Sequence, residues 1–198
     1  MEAEETKVGN SNGAARHATI AELEAGLDHV RASPADNGSL RMIVRRPEVD
    51  AREVIAEGTL DTETGLVGDG WKDRGSTRTP DGGPNPAAQI TIVNSRLLDL
   101  LALSEDRWPL AGDQLVIDLD MSEDNLPPGA QLAIGSAVIQ ISKEPHTGCA
   151  KFAARFGHDA LRFISTPMGR QMRMRGINTR VVRSGSIRVG DVATKFGA

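Results

Sequence analysis

The sequence predicts a mainly β domain with a few short helices, an α+β or β-barrel architecture. Short runs rich in Val, Ile and Leu recur between breaks that carry Gly and Pro. The helical periodicities are brief, and the alternation of strand and long helix that marks a doubly wound sheet is missing. Aromatic residues make up only 3% of the chain and tyrosine is absent, so a core must be assembled from Val, Ile, Leu and Ala. At 198 residues the chain is long enough to bury such a core as one domain with appendages.

Residues 1–18 are small, polar and charged, and are expected to form a disordered tail. Thr19 and Glu22 match a capping box, and Ile20, Leu23, Leu27 and Val30 follow at helical spacing, so residues 19–39 are read as a helix to about Ala32 and a linker. The main domain begins near Leu40 with two strands, LRMIVRR and EVIAEGTL. Residues 65–86 are dense in Gly, Pro, Asp and Arg; a loop of that length is expected to border the Cys149 pocket. AAQITIV is a further strand, with Asn94 or Ser95 capping the helix SRLLDLLA. QLVIDLDM alternates as a half-buried strand, and Gly135-Ser136 joins QLAI to AVIQI as a type II′ hairpin. Thr147 is expected to cap a helix over CAKFAARF that closes at Gly157, and Thr166-Pro167 opens another that closes at Gly176. NTRVVRSGSIRVGD reads as a closing hairpin, leaving residues 193–198 as a tail.

Charge divides the chain. Residues 145–198 hold ten Lys and Arg against two acids, whereas residues 1–144 hold thirteen against twenty-five. A basic C-terminal quarter on an acidic body suggests a small anionic ligand at that end. Nucleic acid is disfavoured by the net charge of −4 and the scarcity of aromatics for stacking. No apolar run spans a bilayer and no secretory h-region opens the chain, so a cytoplasmic protein with no membrane partner is expected.

The only cysteine, Cys149, stands in HTGCAKF between His146 and Lys151. One cysteine makes no internal disulfide, and the scattered histidines do not suit a structural zinc site. In the first turn of a helix, near a lysine, a thiol would favour its anion. Cys149 is therefore the candidate nucleophile, with His146 as base or hydrogen-bond partner and Lys151 as neighbouring cation. The residues alone leave open a small buried hydrophobe.

Residues 112–135 (GDQLVIDLDMSEDNLPPGAQLAIG), EPHTGCAKFAARFG and RGINTRVVRSGSIRVGD together resemble a MOSC domain, named for the C-terminal domain of molybdenum-cofactor sulfurase. GLVGD and AAQITIVNSRLLDLLA fit the same pattern in the same order, extending the resemblance over about Leu40–Asp191. It implies a single β-barrel-like domain over residues 40–192. It also implies sulfur transfer or molybdenum-cofactor chemistry at the cysteine matching Cys149, as persulfide carrier or molybdenum ligand. Some members reduce N-hydroxylated bases or amines; a non-catalytic module delivering cofactor or sulfur is the other alternative. Thr147, Asp69, Arg170, Arg173, Arg175, Arg180 and Arg183 become candidates to hold an anionic cofactor by charge-assisted hydrogen bonds.

Full-length sulfurases add an aminotransferase-like portion with pyridoxal phosphate, and larger reductases add a second barrel. Neither has room in 198 residues, so pyridoxal phosphate attaches to this sequence by family association only. Sulfur, cofactor or electrons are expected from another protein, either a sulfur donor such as a cysteine desulfurase or a redox partner.

Overall fold

The computed structural model describes the backbone of Thr6–Lys7 and residues 16–196. Strand β1 is Thr6–Lys7. Helices α1 (Ile20–Ala25) and α2 (Leu27–Arg31) follow, with both halves of the capping box formed: the Glu22 amide donates to Thr19, and the Thr19 amide to Glu22. The single helix expected here is split at Gly26, where a side chain would collide with Leu100.

Strands β2 (Gly38–Arg45), β3 (Glu53–Ile55), β4 (Glu57–Asp61), β5 (Gly65–Leu66) and β6 (Ile90–Asn94) lead to α3 (Ser95–Ala102), which Asn94 caps through the Leu97 amide. A 3₁₀ helix over Glu105–Ala111 precedes β7 (Leu115–Asp118), β8 (Gln131–Ile134) and β9 (Ala137–Ile141). Gly135 takes φ +56° in the turn between β8 and β9, as a first central glycine of a type II′ turn does. Three short helices, α4 (Ala150–Phe156), α5 (His158–Ile164) and α6 (Pro167–Gln171), precede β10 (Ile177–Arg183), β11 (Gly185–Arg188) and β12 (Val192–Phe196).

Seven strands close into a mixed barrel in the order β2-β12-β8-β9-β10-β6-β7, and β7 pairs back onto β2. Only the β6–β7 pair is parallel among these, its crossover made by α3 and the 3₁₀ helix. Closure leaves no edge within the ring. Strand β3 extends the sheet from β2, and β1 pairs with β3.

Three expectations need correction. The C-terminal hairpin does not form: β11 leaves the barrel and pairs with β4 in a separate three-stranded sheet. The tail read at 193–198 is strand β12 as far as Phe196, because Ala193 is buried and Thr194 to Phe196 pair with β8. Residues 1–5 and 8–15 of the expected N-terminal tail lie outside the described residues, but Ala18 is buried in the helical core.

Two cores follow from the closure. The lumen is filled by Ile, Leu, Val, Ala and Met, with Leu40, Ile92, Leu115, Ile117, Leu132 and Ile139 among its members and no aromatic ring. The second core lies between the barrel wall and the helices, where Phe152, Phe156, Phe163 and Trp108 meet Met42, Val44 and Val116. In β2 the inward residues Leu40 and Ile43 lie three apart because the register shifts between Leu40 and Met42. One strand thereby serves both cores.

Candidate active site

The chain leaving β9 runs through Ser142–Cys149 into α4, and two clefts open on either side of it. The larger, about 600 Å³, is lined by this segment, the α6–β10 turn with Arg170, Arg173 and Arg175, and Glu123 from the β7–β8 connection. The smaller, about 360 Å³, is lined by Arg46, Trp71, Arg74, Arg78 and Asn178. Pro145, His146 and Thr147 belong to both walls. His146 is therefore the partition between them.

The partition is fixed from below. His146 Nδ1 lies 3.4 Å from Asp113 Oδ1, whose side chain is fully buried, and Arg175 donates from Nη1 to the other carboxylate oxygen at 2.8 Å. Burial, reinforced by the positive charge of Arg175, pushes the His146 pKa from 6.5 down to about 3. A neutral imidazole with Nδ1 beside a carboxylate keeps its proton there, which leaves Nε2 as an acceptor. Gly176, at φ +98°, permits this closeness: a β-carbon there would stand 2.4 Å from the Ile92 carbonyl and 3.4 Å from both His146 Nδ1 and Asp113 Oδ1.

The surrounding guanidiniums are ordered by main chain. As the 3₁₀ helix ends, Pro109 O accepts from Arg52 Nε (3.2 Å) and Leu110 O from Arg155 Nη1 (2.9 Å). Ala111 O accepts from Arg175 Nη2 (3.0 Å) and Gly112 O from Arg46 Nη1 (2.6 Å). Carbonyls at a helix C-terminus lack helical donors and carry partial negative charge, so cations gather there. Crowding has a cost: burial, then the charges of Arg155 and Arg46, lower the Arg52 pKa to about 10.

Cys149 is exposed and is itself the N-cap residue of α4, with extended backbone and no side-chain capping bond. Thr147, the expected cap, lies two residues upstream on the wall of both clefts. The cleft lining reaches Gly148, so the thiol stands at the rim, one residue beyond.

A sequence profile of the MOSC domain matches residues 85–194, more than half of the chain. The chain belongs to the MOSC domain family. This MOSC chain is also similar in fold to the YuaD protein of Bacillus subtilis, at 16% identity and a TM-score of 0.59, covering 80% of this chain and 96% of that one. YiiM from Geobacillus stearothermophilus aligns with a TM-score of 0.55 at 16% identity, over 80% of this chain and 75% of that one. YiiM from Escherichia coli aligns with a TM-score of 0.52 at 18% identity, over 81% and 70%. No curated protein sequence matches the chain. Among the described residues no helix is long and apolar enough to cross a membrane.

Within this MOSC domain the predicted residues separate. Arg170, Arg173, Arg175, His146 and Thr147 meet at the larger cleft. The Arg170 side chain has no hydrogen-bond or ion-pair partner among the described residues, while Arg173 donates to the Leu126 carbonyl and lies 3.8 Å from Glu123. Arg180 and Arg183 sit on the outer face of β10, bonded to Gln140 and the Ser136 carbonyl, and neither lines a cleft. Strand alternation explains Arg180, since Thr179 and Val181 on either side are buried. Lys151 reaches Asp50 at 3.3 Å, where Arg155 joins it. Asp69 is fully buried, and its carboxylate accepts from Arg46 and Arg74. It positions the smaller cleft from behind, without facing it.

Sequence reasoning missed Asp113 and Arg46. Gly112-Asp113 reads as a turn, and nothing in its pattern announces a buried acid. Arg46 ends a strand beside Pro47, where a solvated cation is the ordinary reading.

Proposed function

We propose that this domain binds a molybdenum cofactor in the larger cleft, with Cys149 as the thiolate ligand. The observation that carries the reading is the cleft itself. Its volume suits a small-molecule ligand, and it gathers Arg170, Arg173, Arg175 and Lys143 against Glu123 and Glu144, one residue from the only thiol. Among the described residues the buried Arg175 Nε has no acceptor and the Arg170 side chain no partner, which leaves both for a phosphate. Among the described residues no three His, Cys, Asp or Glu side chains form a metal cluster; a cofactor that brings its own sulfur ligands asks for one soft protein ligand.

When bound, the cofactor supplies a metal centre able to exchange oxygen and two electrons with a substrate. The chain's own residues bind and orient. Arg170, Arg173 and Lys143 hold the anionic part, and Arg175 fixes Asp113, which holds His146. Neutral at physiological pH, His146 offers Nε2 as a hydrogen-bond acceptor for a substrate N–H or O–H. N-hydroxylated bases or amines are the proposed substrates, with electrons from a separate redox partner.

The exposure of Cys149 favours a second reading, persulfide carriage from a donor such as a cysteine desulfurase. A carrier thiol must meet its donor, whereas a metal ligand need not be open. Metal analysis and intact-mass measurement on protein from a molybdenum-replete host separate the two. Stoichiometric molybdenum that disappears in Cys149→Ser and falls in Arg170→Gln supports the cofactor; a single extra sulfur without metal supports the carrier. Neither result in repeated preparations would leave a delivery module without turnover.

A further inference from the structure

We infer that the smaller cleft, on the far side of His146, is a separate binding site for a small oxyanion, a carboxylate or phosphate group. Three arginines face it, Arg46, Arg74 and Arg78, and the acids that balance them are set elsewhere. Asp69 lies behind Arg46 and Arg74 with both oxygens engaged: the Arg46 amide (2.9 Å), Arg46 Nε (3.0 Å) and Nη2 (3.2 Å), and Arg74 Nη2 (2.9 Å). One carboxylate thus serves two guanidiniums and leaves a positive charge over. Glu144, the partner of Arg78, lines the other cleft.

The donors are unequal in a way that marks the opening. Arg46 is spent on Asp69 and on Gly112 O, and its side chain is only 11% exposed. Arg74 is 41% exposed, and among the described residues its Nε and Nη1 have no acceptor. Arg78 donates through Nη1 to Glu144 and Pro145 O, leaving Nε and Nη2 without an acceptor among the described residues. His146, half-buried with its Nδ1 turned to Asp113, forms the inner wall. Burial and the charge of Arg46 both lower the Arg74 pKa, a repulsion that a bound anion would relieve.

The cleft is built, not incidental. Trp71 is buried and donates from its indole nitrogen to Asn85 O at 3.3 Å, tying down the loop that carries Arg74 and Arg78. A β-carbon on Gly75 would stand 2.6 Å from Gly82 O, so the loop closes on itself at the point where the arginines leave it. The inference stands without the cofactor reading, since Arg46, Arg74 and Arg78 do not line the larger cleft. With both sites filled, the two ligands would share the Pro145–Thr147 wall, and the second would be the anionic group of the molecule acted on.

The test uses the full chain without added metal. Inorganic phosphate and succinate are titrated separately while the amides of Gly75, Ser76 and Asn178 are followed by NMR. Saturable shifts with either probe are expected, and the tighter of the two assigns the oxyanion. Arg74→Gln, which leaves Asp69 its Arg46 partner, should weaken binding about tenfold or more, and Arg78→Gln similarly; Arg170→Gln should leave it unchanged. Shifts that survive Arg74→Gln and vanish in Arg170→Gln would move the anion to the larger cleft and overturn the inference. An absence of saturable shifts with both probes would overturn it too. Loss of molybdenum in a separate preparation bears on the cofactor alone.

Discussion

The barrel lumen and the clefts beside it are made from opposite parts of the composition, and each tolerates what the other forbids. The lumen is sealed by strand pairing and filled almost wholly with apolar side chains, the buried Thr179 hydroxyl on its wall being answered by the Ile90 carbonyl. Around His146 the reverse holds: buried charges survive because carboxylates and main-chain carbonyls answer them. The first region gains stability from area removed from water. The second gains little net stability from its pairs, yet breaking one leaves a charge stranded. Stability and positioning are therefore separable here by mutation.

The sharpest break should come at Asp113. Asp113→Ala strands the side chain of Arg175, only 12% exposed, and frees His146. A loss of about 3–5 kcal/mol is expected in urea unfolding at neutral pH. A loss below about 1 kcal/mol would mean that the triad is not a buried network. In the lumen, Ile117→Ala should cost about 2–5 kcal/mol by leaving a cavity, while oxyanion and cofactor affinity stay at the wild-type level. If ligand affinity falls in step with stability, the two regions are not independent.

The next effect is a slope. The fold holds His146 neutral to about pH 3, whereas the unfolded chain takes up a proton near pH 6.5. The unfolded state binds more protons between those values, so this contribution to stability is full above pH 6.5. It falls by up to ~1.4 kcal/mol per unit as acid is added towards about pH 3. Because carboxylates titrate in the same window, the quantity to measure is the difference between wild type and His146→Gln. A difference that stays flat from pH 7 to 4 would contradict the buried, neutral histidine.

The smallest effect sharpens the contrast within one basic segment. Arg180→Ala and Arg183→Ala should each change stability by no more than about 0.5 kcal/mol and leave binding in both clefts untouched. Comparison with Arg170→Gln in the same binding assay checks it.

How much was legible follows the range of the interaction. The Thr19–Glu22 box, the Asn94 cap and the Gly135-Ser136 turn were all readable, because each is decided within four residues. Closure of the barrel was not: the parallel β6–β7 pair and the return of β7 to β2 join residues far apart in sequence, and the short strands carry no mark of their neighbours. In the site, the Arg170–Arg175 cluster was visible as charge, and the alternation in NTRVVR could have set Arg180 apart from it. The shift of the helix start from Thr147 to Cys149 was hidden, since Thr147 is a good capping residue by type and only tertiary placement denies it that role. Asp113 is a buried acid answered by an arginine and a histidine from distant segments, and no local pattern encodes that.

The four arginines seated on Pro109–Gly112 have a consequence for how this protein can change. Their acceptors are carbonyl oxygens, which every amino acid supplies, so exchanges of side chain at 109–111 need not move any of the four charges. A change of length is another matter. Removing or adding one residue in that tetrapeptide would slide the register of carbonyls and displace Arg175 from the larger cleft and Arg46 from the smaller together. The charge layout is thus indifferent to spelling and sensitive to counting, and indels in this turn are the changes that would rewrite what the protein binds.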